Sequence, residues 1–381
     1  MLQVVLFLVI STLLAYAIQQ SNVYIPYNGD PWNCGWQLHS GKNYICYIIF
    51  LLFAIFFVGL RQRGNDTPIY LINYLTQITA FPGELNGMKW SLGANPGFQI
   101  YQSLIKLVFG NNGLWLTMVT AIISTISLFE FYRRYSINFI FSIYLLIAST
   151  LFTFTMGAMK QVLAFSIGIW ILPLAIQKKW SVIAILLFIA CSIHTYVLFY
   201  AAIPILIGKM FSWKVKACFV VSIFIGSHLM AFMEKALVIT ETFGDEYQIE
   251  YWTEGTGVNI LRVPIFLVTP ILGLIFKKEI QKIGNVFVNG CINLSVISSC
   301  FMILAIFGGA NMFGRMAIYW EPFTFIALPG ICQSLKKRSW YKTFLSGLVL
   351  CFLFFYIYSY KKIGYSLLID YYHHANILDL F

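Results

Sequence analysis

The chain is dominated by apolar runs that are long enough to cross a lipid bilayer as helices. Across 381 residues, 60% are hydrophobic and only 10% are charged, a composition that excludes a soluble domain. A spanning helix needs about 17–25 mostly apolar residues. We therefore predict an all-α polytopic membrane protein in which 1–381 form one integral membrane domain. The runs lie at 2–18, 43–60, 112–131, 137–157, 160–177, 215–233, 260–276, 286–307, 316–334 and 341–360.

A further apolar stretch, 181–208, is interpreted as two short spans rather than one. One long helix would place the lysine pair at 178–179 on the opposite side of the membrane from the lysines at 209–216. Two short helices that meet near 192–194 keep both clusters on one side, as the positive-inside rule favours. The prediction is then about twelve transmembrane helices. The first run lacks a basic leader and a clear cleavage site, so we expect a retained span.

The basic clusters set the predicted orientation. Under this count they all fall on one face, which is therefore the cytoplasmic face. The opposite, periplasmic face receives the long loops 61–111 and 234–259 and the C-terminal tail from about 361. The second loop is strongly acidic, and acidic loops cross membranes readily. The loop 19–42 is expected inside. The clusters are Arg133/Arg134, Lys178/Lys179, Lys209/Lys214/Lys216, Lys277/Lys278/Lys282 and Lys336/Lys337/Arg338/Lys342.

The net charge of +11 does not indicate a nucleic-acid partner. The basic residues form small clusters between apolar segments, as in the loops of an inner-membrane protein. Seven of the eight cysteines lie in apolar segments, and none forms a CxxC pair or a Cys/His array with metal spacing. We therefore expect no disulfide, no metal site and no cofactor.

The loop 61–111 is too apolar to be a plain connection. Its segment 98–109 has apolar residues at helical spacing, and an Asn-Pro-Gly sequence precedes it. The run is too short to span a bilayer, so an interfacial or re-entrant helix on the outer face is expected. The predicted apolar face consists of Phe98, Tyr101, Leu104, Ile105 and Val108.

Several charged side chains fall on the predicted outer face beside apolar spans, where ions are costly unless paired or hydrated. The stretch 59–70 is the most unusual, because it sets two arginines and an aspartate directly after an apolar run. Arg63 and Arg262 are also compatible with snorkelling to lipid headgroups, and Arg61 with a structural pair to Asp66. The full set is Arg61, Arg63, Asp66, Lys160, His194, Arg262, Arg315 and Glu321.

Two of these side chains, His194 and Arg315, suggest a catalytic or ligand-binding role. His194 is compatible with a core histidine or with a general base, since the ordinary histidine pKa of about 6.5 permits proton uptake near neutrality. Arg315 lies one helical turn from Tyr319, so both share a face. Several cations that converge from distant segments are costly without an anionic ligand. Because arginine forks match phosphate oxygens, a diphosphate is the predicted ligand.

Five short motifs are spread along the chain. They are Gly-Leu-Arg…Gly-Asn-Asp-Thr-Pro-Ile-Tyr at 59–70, Pro-Gly-Phe at 96–98, Met-Lys-Gln-Val-Leu-Ala-Phe-Ser-Ile at 159–167, Ala-Cys-Ser-Ile-His at 190–194 and Arg-Met-Ala-Ile-Tyr-Trp at 315–320. In this order and spacing the chain resembles, over nearly its whole length, the EpsG family of Wzy-like polysaccharide polymerases. The resemblance implies polymerisation of repeat units of O-antigen (lipopolysaccharide), capsule or exopolysaccharide at the outer face of the bacterial inner membrane.

The resemblance carries over residue by residue. The family's first arginine falls on Arg61, its glycine-x-aspartate on Gly64 and Asp66, the following tyrosine on Tyr70, its Arg-Gln motif on Lys160 and Gln161, its histidine on His194, and its Arg-x-x-x-Tyr motif on Arg315 and Tyr319. Two departures matter. Lys160 replaces the usual arginine, which keeps the charge but loses the bidentate geometry. Asn95 stands where the family usually has an acid, so His194 or Asp66 becomes the expected base.

These assignments predict metal-independent glycosyl transfer between two lipid-linked molecules. The growing chain on undecaprenyl diphosphate is the donor, and a hydroxyl of an incoming undecaprenyl-diphosphate repeat unit is the acceptor. Cations are expected to stabilise the leaving diphosphate, and His194 or Asp66 to take the acceptor proton. The predicted diphosphate ligands are Arg61, Lys160, Arg262 and Arg315, and the other predicted substrate contacts are Tyr70, Gln161, Tyr319 and Glu321.

The expected partners are the lipid-linked oligosaccharide, membrane lipid and, as the family implies, a separate regulator of chain length. Two other functions stay open. A flippase or transporter for the same lipid-linked oligosaccharide would also need a cationic cavity, although the charged candidates gather on one face and no inverted repeat is visible. A membrane O-acyltransferase would need its histidine nearer the cytoplasmic side to meet an acyl donor.

Overall fold

The computed structural model describes residues 2–27, 30, 33–61, 66–91, 93–228, 258–363 and 375–380. The structure is 77% helical, with almost no sheet, and it confirms the predicted all-α polytopic fold. In the first half of the chain the elements are α1 (Leu2–Gln20), β1 (Val23–Ile25), β2 (Gly35–Gln37), α2 (Gly41–Gly59), α3 (Thr67–Thr76), α4 (Pro96–Phe109), α5 (Leu114–Tyr135), α6 (Phe139–Ala148), α7 (Leu151–Phe154), α8 (Met159–Gly168), α9 (Ile171–Ile176) and α10 (Trp180–Ile193).

The second half is also helical. It contains α11 (Ile203–Leu206), α12 (Trp213–Ser227), α13 (Val263–Ile275), α14 (Lys277–Ile283), α15 (Val286–Phe307), α16 (Ala310–Ser334) and α17 (Tyr341–Tyr358). Short 3₁₀ helices occur at Gly83–Asn86, Thr195–Ala202, Ile260–Arg262 and Ile377–Leu380. Arg63, Gly64, most of the predicted acidic loop 234–259 and most of the C-terminal tail lie outside the described residues.

Six of the described helices are long and apolar enough to cross a membrane, and the bent pair 260–275 and 277–283 makes a seventh if it is counted as one span. Three shorter apolar helices lie at 139–148, 180–193 and 195–206. Each predicted apolar run coincides with helix in the described part of the chain. The predicted number of about twelve exceeds the number of full-length spans because several runs are short or broken.

Two predicted runs are interrupted. The run 137–157 is divided between α6 and α7, since Thr150 adopts a left-handed backbone conformation with φ 73°. The stretch 181–208 breaks at His194, where the charge distribution predicted a junction, and the backbone there is extended. Backbone N–H and C=O groups that a helix end leaves unpaired need hydrogen-bond partners inside a membrane. After α11 the side chain of Asn293 in α15 provides such partners. Its Nδ2 donates to the Leu206 carbonyl at 2.8 Å, and its Oδ1 accepts from the Phe211 N–H at 2.8 Å.

The helices α15 and α16 form an extensive contact in the bundle. The Ser298 hydroxyl of α15 donates to the Ala317 carbonyl of α16 at 2.7 Å. Nearer the C-terminus of α16, a Cβ placed on Gly330 would lie 2.6 Å from a methyl of Val288, so the two backbones approach closely. Small residues and hydroxyl hydrogen bonds are typical of helix contacts in membranes, where apolar burial alone gives little net attraction. This contact holds α16 firmly inside the bundle.

The predicted outer loop 61–111 contains two helices where one was expected. The helix α4 begins where the Asn-Pro-Gly sequence predicted, but α3 was not anticipated. Lys106 of α4 joins the two helices, because its Nζ donates to the carbonyls of Tyr74 at 2.8 Å and Ile78 at 2.7 Å. Carbonyls at a helix C-terminus lack partners within the helix, so this lysine caps α3. The loop therefore contains a pair of contacting helices rather than a plain tether.

The predicted apolar face of α4 is divided between the protein interior and the surface. Phe98 and Ile105 are buried and Tyr101 is partly buried, but Leu104 and Val108 are 44% and 69% exposed. The helix packs between α10 and α5, so these two neighbours, rather than apolar spacing alone, select the residues that face inward. The exposed apolar residues of α4 are compatible with contact to lipid.

The β-hairpin lies at the end of the bundle that carries Arg133 and Arg134. The indole N–H of Trp36 donates to the Ser136 carbonyl at 3.1 Å, and Arg133 Nη1 donates to the Trp36 carbonyl. Arg133 and Arg134 both pair with Glu130, at 2.5 and 2.6 Å. The described part of the loop 19–42 thus lies at the same end of the bundle as this basic pair.

The helices α3 and α4 lie at the other end of the bundle. Thr117, in the first turn of α5, donates its hydroxyl to the Gly59 carbonyl at 2.6 Å. A Cβ on Gly59 would lie 3.2 Å from the Cα of Met118, so α2 and α5 approach closely at this end. With 22 residues, α5 extends about 33 Å at 1.5 Å per residue. The arginine pair and the two outer-loop helices are therefore separated by the length of a membrane-spanning helix.

The C-terminal segment 375–380 packs beside the end of α2. The Ala375 N–H donates to the Leu60 carbonyl at 3.0 Å, and the indole N–H of Trp115 donates to the Leu380 carbonyl at 2.9 Å. The Leu380 side chain is buried against α2 and α5. This segment therefore contacts the residue that immediately precedes Arg61, at the same end of the bundle as the loop 61–111.

Candidate functional site

Arg61 is fully buried directly after α2. Its Nη1 donates to the Val58 carbonyl at 2.6 Å, and its Nε donates to the Thr67 hydroxyl at 3.2 Å. The Nη2 group has no hydrogen-bond partner in the described part of the chain. Burial lowers the pKa of Arg61 to about 9, so the guanidinium is still protonated at neutral pH. Arg61, the first of the predicted diphosphate ligands, is therefore not exposed at the protein surface.

Asp66 faces Arg315 rather than Arg61. The Asp66 Oδ2 lies 3.8 Å from the Arg315 Nη2, and the two side chains are 28% and 37% exposed. The helix α16 begins at Ala310, earlier than predicted, so Arg315 lies in its second turn. The structural pair that the sequence suggested for Arg61 and Asp66 is not observed. A distance of 3.8 Å is an ion pair without a hydrogen bond, which leaves both groups able to contact a ligand.

Lys160, the second residue of α8, lies beside two aromatic rings. Its Nζ is 5.9 Å from the ring centroid of Tyr70 and 6.0 Å from that of Phe98. The two rings meet edge to face at 5.6 Å. Such distances allow cation–π attraction. Asp66 and Arg315 both act electrostatically on Lys160, so the three charged groups and Tyr70 belong to one site.

A close contact between α4 and α10 holds Phe98 in this position. A Cβ on Gly97 would lie 2.9 Å from the backbone carbonyl carbon of Ser192 and nearer still to its hydroxyl oxygen. Only glycine permits this approach. Asn95, which precedes the helix, adopts a left-handed conformation with φ 53°, and asparagine tolerates this region better than most residues. The Pro-Gly-Phe motif therefore serves helix packing as well as the site.

His194 lies in the break after α10 and contacts α16. Its Nδ1 is 2.7 Å from the hydroxyl oxygen of Tyr319. Burial, followed by the positive charges of Lys160 and Arg315, lowers the pKa of His194 from 6.5 to about 3, so the imidazole is neutral at physiological pH. Gln161 is buried, and its Nε2 donates to the Arg315 carbonyl at 2.8 Å. It holds α8 against α16 and contacts Arg315 through the backbone.

Arg262 and Glu321 form a second, separate group. Each acts electrostatically on the other, and no ion pair or hydrogen bond joins either to Asp66, Lys160 or Arg315 in the part of the chain that the structure describes. Six residues separate Arg315 from Glu321, which is about 120° around a helix, whereas Tyr319 is only about 40° away. The structure therefore does not unite these two predicted site residues with the others. Glu321 is 4% exposed, and its Oε1 has no hydrogen-bond partner among the described residues.

The sequence analysis missed two residues of this site. Thr67 is fully buried and joins Arg61 to the turn before α8. Phe98 was assigned to an apolar face, but it also forms part of the surroundings of Lys160. Thr67 follows Asp66 inside a motif that the sequence had singled out, so its position was a usable signal. Among the described residues, no group of three or more His, Cys, Asp or Glu is arranged to hold a metal ion.

The fold and the site define a class of protein. It is a polytopic helical membrane protein whose cations, carboxylate and histidine come from distant segments and meet at one end of the bundle. The chain belongs to the EpsG family, whose family model matches residues 44–373. EpsG is a family of Wzy-like polymerase type, so the chain is a polysaccharide-polymerase-like, glycosyltransferase-like membrane protein. Comparison with curated proteins and with solved structures gave no match.

Proposed function

We propose that this protein transfers a growing undecaprenyl-diphosphate-linked glycan onto an incoming lipid-linked repeat unit at the outer face of the bacterial inner membrane. The observation that carries the proposal is the meeting of Asp66, Lys160, His194 and Arg315, from four distant segments, at one end of the bundle. Partly exposed cations beside a neutral histidine suit a reaction that releases a diphosphate and removes a proton.

In this scheme Lys160 and Arg315 bind the diphosphate of the donor. The bond between the sugar C1 and the phosphate oxygen breaks, and the electron pair stays on the leaving diphosphate. Preorganised cations stabilise charge that develops in this way. Lys160 lies beside the rings of Tyr70 and Phe98, and Arg315 is partly exposed opposite Asp66. Neither group needs a metal ion for this role.

His194 is the proposed general base. The acceptor hydroxyl forms the new bond to C1, and its proton passes to the imidazole. Nδ1 is engaged by Tyr319, so the proton must go to Nε2. This requires the tautomer in which Nδ1 carries the hydrogen and donates to the tyrosine oxygen. Tyr319 then has the orienting role that an acid has in hydrolase triads.

The proposed sidedness rests on the two ends of the bundle. The arginine pair at 133–134 lies at one end of α5, which is about 33 Å long, and the outer-loop helices that begin after Asp66 lie at the other end. Basic clusters mark cytoplasmic loops, so the site is assigned to the periplasmic end. Lipid-linked oligosaccharide, membrane lipid and a separate chain-length regulator are the proposed partners.

The test is polymerisation by purified protein supplied with a defined undecaprenyl-diphosphate repeat unit. We expect a glycan ladder from the wild type and a loss of about 10²–10³-fold in rate from Arg315→Ala or His194→Ala. Lys214→Ala, an exposed cation at 209–216, is the matched control and should leave the ladder unchanged. No ladder from the wild type on its own repeat unit would refute the polymerase.

Gene deletion distinguishes the rival functions. Loss of a polymerase leaves single repeat units on the outer side of the membrane. Loss of a flippase or transporter strands them inside, and loss of an O-acyltransferase leaves chain length normal. Single units outside are the expected result, and either of the other two would contradict the proposal.

A further inference from the structure

We infer that Thr67 is a positioning residue that fixes Asp66 relative to Lys160, and that Arg61 acts through it rather than on the substrate. The inference rests on the proposed function for its activity test. It starts from two linked hydrogen bonds: one joins the end of α2 to the start of α3, six residues later, and the other joins the start of α3 to the turn before α8, 89 residues later.

The chemistry of the groups determines which atom donates and which accepts in each hydrogen bond. A guanidinium only donates hydrogen bonds, whereas a hydroxyl has one hydrogen to donate. The Thr67 hydroxyl donates to the Met156 carbonyl at 2.8 Å, so it must accept from the Arg61 Nε at 3.2 Å. Position 67 therefore needs a side chain that accepts one hydrogen bond and donates another. Valine has the shape of threonine but can do neither, whereas serine can do both.

Burial makes these hydrogen bonds consequential. Arg61 and Thr67 are both fully buried, and no ion pair joins Arg61 to a carboxylate in the described part of the chain. A buried donor that loses its partner pays the full cost of its desolvation. Loss of the Thr67 hydroxyl would add an unpaired Nε to the Nη2 that already has no partner among the described residues, and the surrounding backbone would move to recover a hydrogen bond.

The two anchored positions lie beside the charged site. Thr67 follows Asp66 directly, and Met156 is four residues before Lys160. Moving Thr67 away from Met156 changes the distance between the carboxylate and the lysine. A misplacement of about 1 Å at a reacting centre can reduce the rate about 10²-fold. The hydroxyl thus influences catalysis without touching the substrate.

The experiment compares Thr67→Val with Thr67→Ser in the polymerisation assay. We expect Thr67→Val to reduce kcat about 10- to 100-fold, with KM for the lipid-linked repeat unit changed less than about threefold, and Thr67→Ser to stay within about threefold of the wild type. Arg61→Lys keeps the charge but loses the guanidinium fork, so it should resemble Thr67→Val. It also replaces Thr67→Val in the comparison if that variant does not fold.

A double variant completes the test. If Arg61 acts through Thr67, the double variant Thr67→Val, Arg61→Lys should be no slower than the slower single variant. Equal losses from Thr67→Ser and Thr67→Val, multiplying losses in the double variant, or an unchanged kcat for Thr67→Val would each overturn the inference.

Failure of the proposed function would give a different result. In that case the wild type makes no ladder. The melting temperatures of the wild type, the two single variants and the double variant in lipid nanodiscs then replace the rates. Non-additive shifts in the double variant would still support the Arg61–Thr67 coupling, while additive shifts would overturn it.

Discussion

The ion pair between Asp66 and Arg315 offers a test that separates a positioning role of the carboxylate from a direct role in proton transfer. Asp66→Asn removes the negative charge and keeps the size of the side chain. Arg315 then remains in place but loses a partner that lies 3.8 Å away. If Asp66 orients Arg315, its loss should matter only while Arg315 is present.

The expected effect on stability is small. Two unit charges 3.8 Å apart attract by about 4 kcal/mol at an effective dielectric constant of about 20. The two side chains are 28% and 37% exposed, however, and measured pairs of this kind contribute only about 0.2–1 kcal/mol. We therefore expect Asp66→Asn to lower the free energy of unfolding by less than about 1 kcal/mol.

The expected effect on turnover is larger. Complete loss of a preorganised electrostatic group costs about 10²–10³-fold. A cation that stays in place but is less well oriented should lose only part of this rate enhancement. We therefore expect turnover to fall about tenfold, which corresponds to about 1.4 kcal/mol in the activation free energy. The assay is the rate of glycan extension by Asp66→Asn, Arg315→Gln and the double variant, with folding checked by thermal melting.

Positioning predicts that Asp66→Asn causes no further loss in the Arg315→Gln background. A full additional loss there would refute this reasoning and would indicate that Asp66 acts on the substrate independently, as a base would. Glu279→Gln is the matched control. It removes a carboxylate from another ion pair, 2.9 Å from Arg338, and should leave turnover unchanged.

Three further predictions concern the surroundings of the site. Because the pKa of His194 is held at about 3, the base form is already complete well below neutrality, and kcat/KM should show no inflection near 6.5 between about pH 5 and 8. Gly97→Ala should destabilise the protein by about 1–3 kcal/mol through overpacking, and adding Ser192→Gly should restore part of the melting temperature. Leu380→Asp should release the segment 375–380 and raise hydrogen exchange at its amides about tenfold.

Each of these has a clear contrary result. An inflection near pH 6.5 that disappears in His194→Ala would mean that the histidine keeps an ordinary pKa. An unchanged melting temperature for Gly97→Ala would mean that α4 and α10 are not in close contact. Unchanged exchange in Leu380→Asp would mean that the segment is held by its hydrogen bonds alone. Leu378→Asp is the control for the last variant, since Leu378 is 78% exposed.

The helices of the spans were predictable because the membrane imposes a simple rule. An apolar run of sufficient length must form helix, so 43–60 and 286–307 correspond closely to α2 and α15. The break at His194 followed from charge, because one long helix would have separated two lysine clusters. The helix α3 escaped notice because it has only 10 residues and follows a polar motif.

The site was predictable in part. Short motifs identified Asp66, Lys160, His194 and Arg315, because charged groups beside apolar spans are costly and therefore conspicuous. The partners of these groups were not predictable. Asp66 pairs with a residue 249 positions away rather than with Arg61, and such pairing depends on how helices pack.

Apolar runs, the distribution of charge and a few motifs determined by themselves that this protein is a polytopic helical membrane protein and which groups are chemically unusual. Only the tertiary structure decided which of those groups meet. It buried Arg61 in a hydrogen bond to Thr67 and placed Lys160 beside two aromatic rings. It also put Arg315 and Glu321 on different sides of α16. The physical reason is that hydrophobicity is a local property of the chain, whereas hydrogen bonds and ion pairs form between segments that only packing brings together.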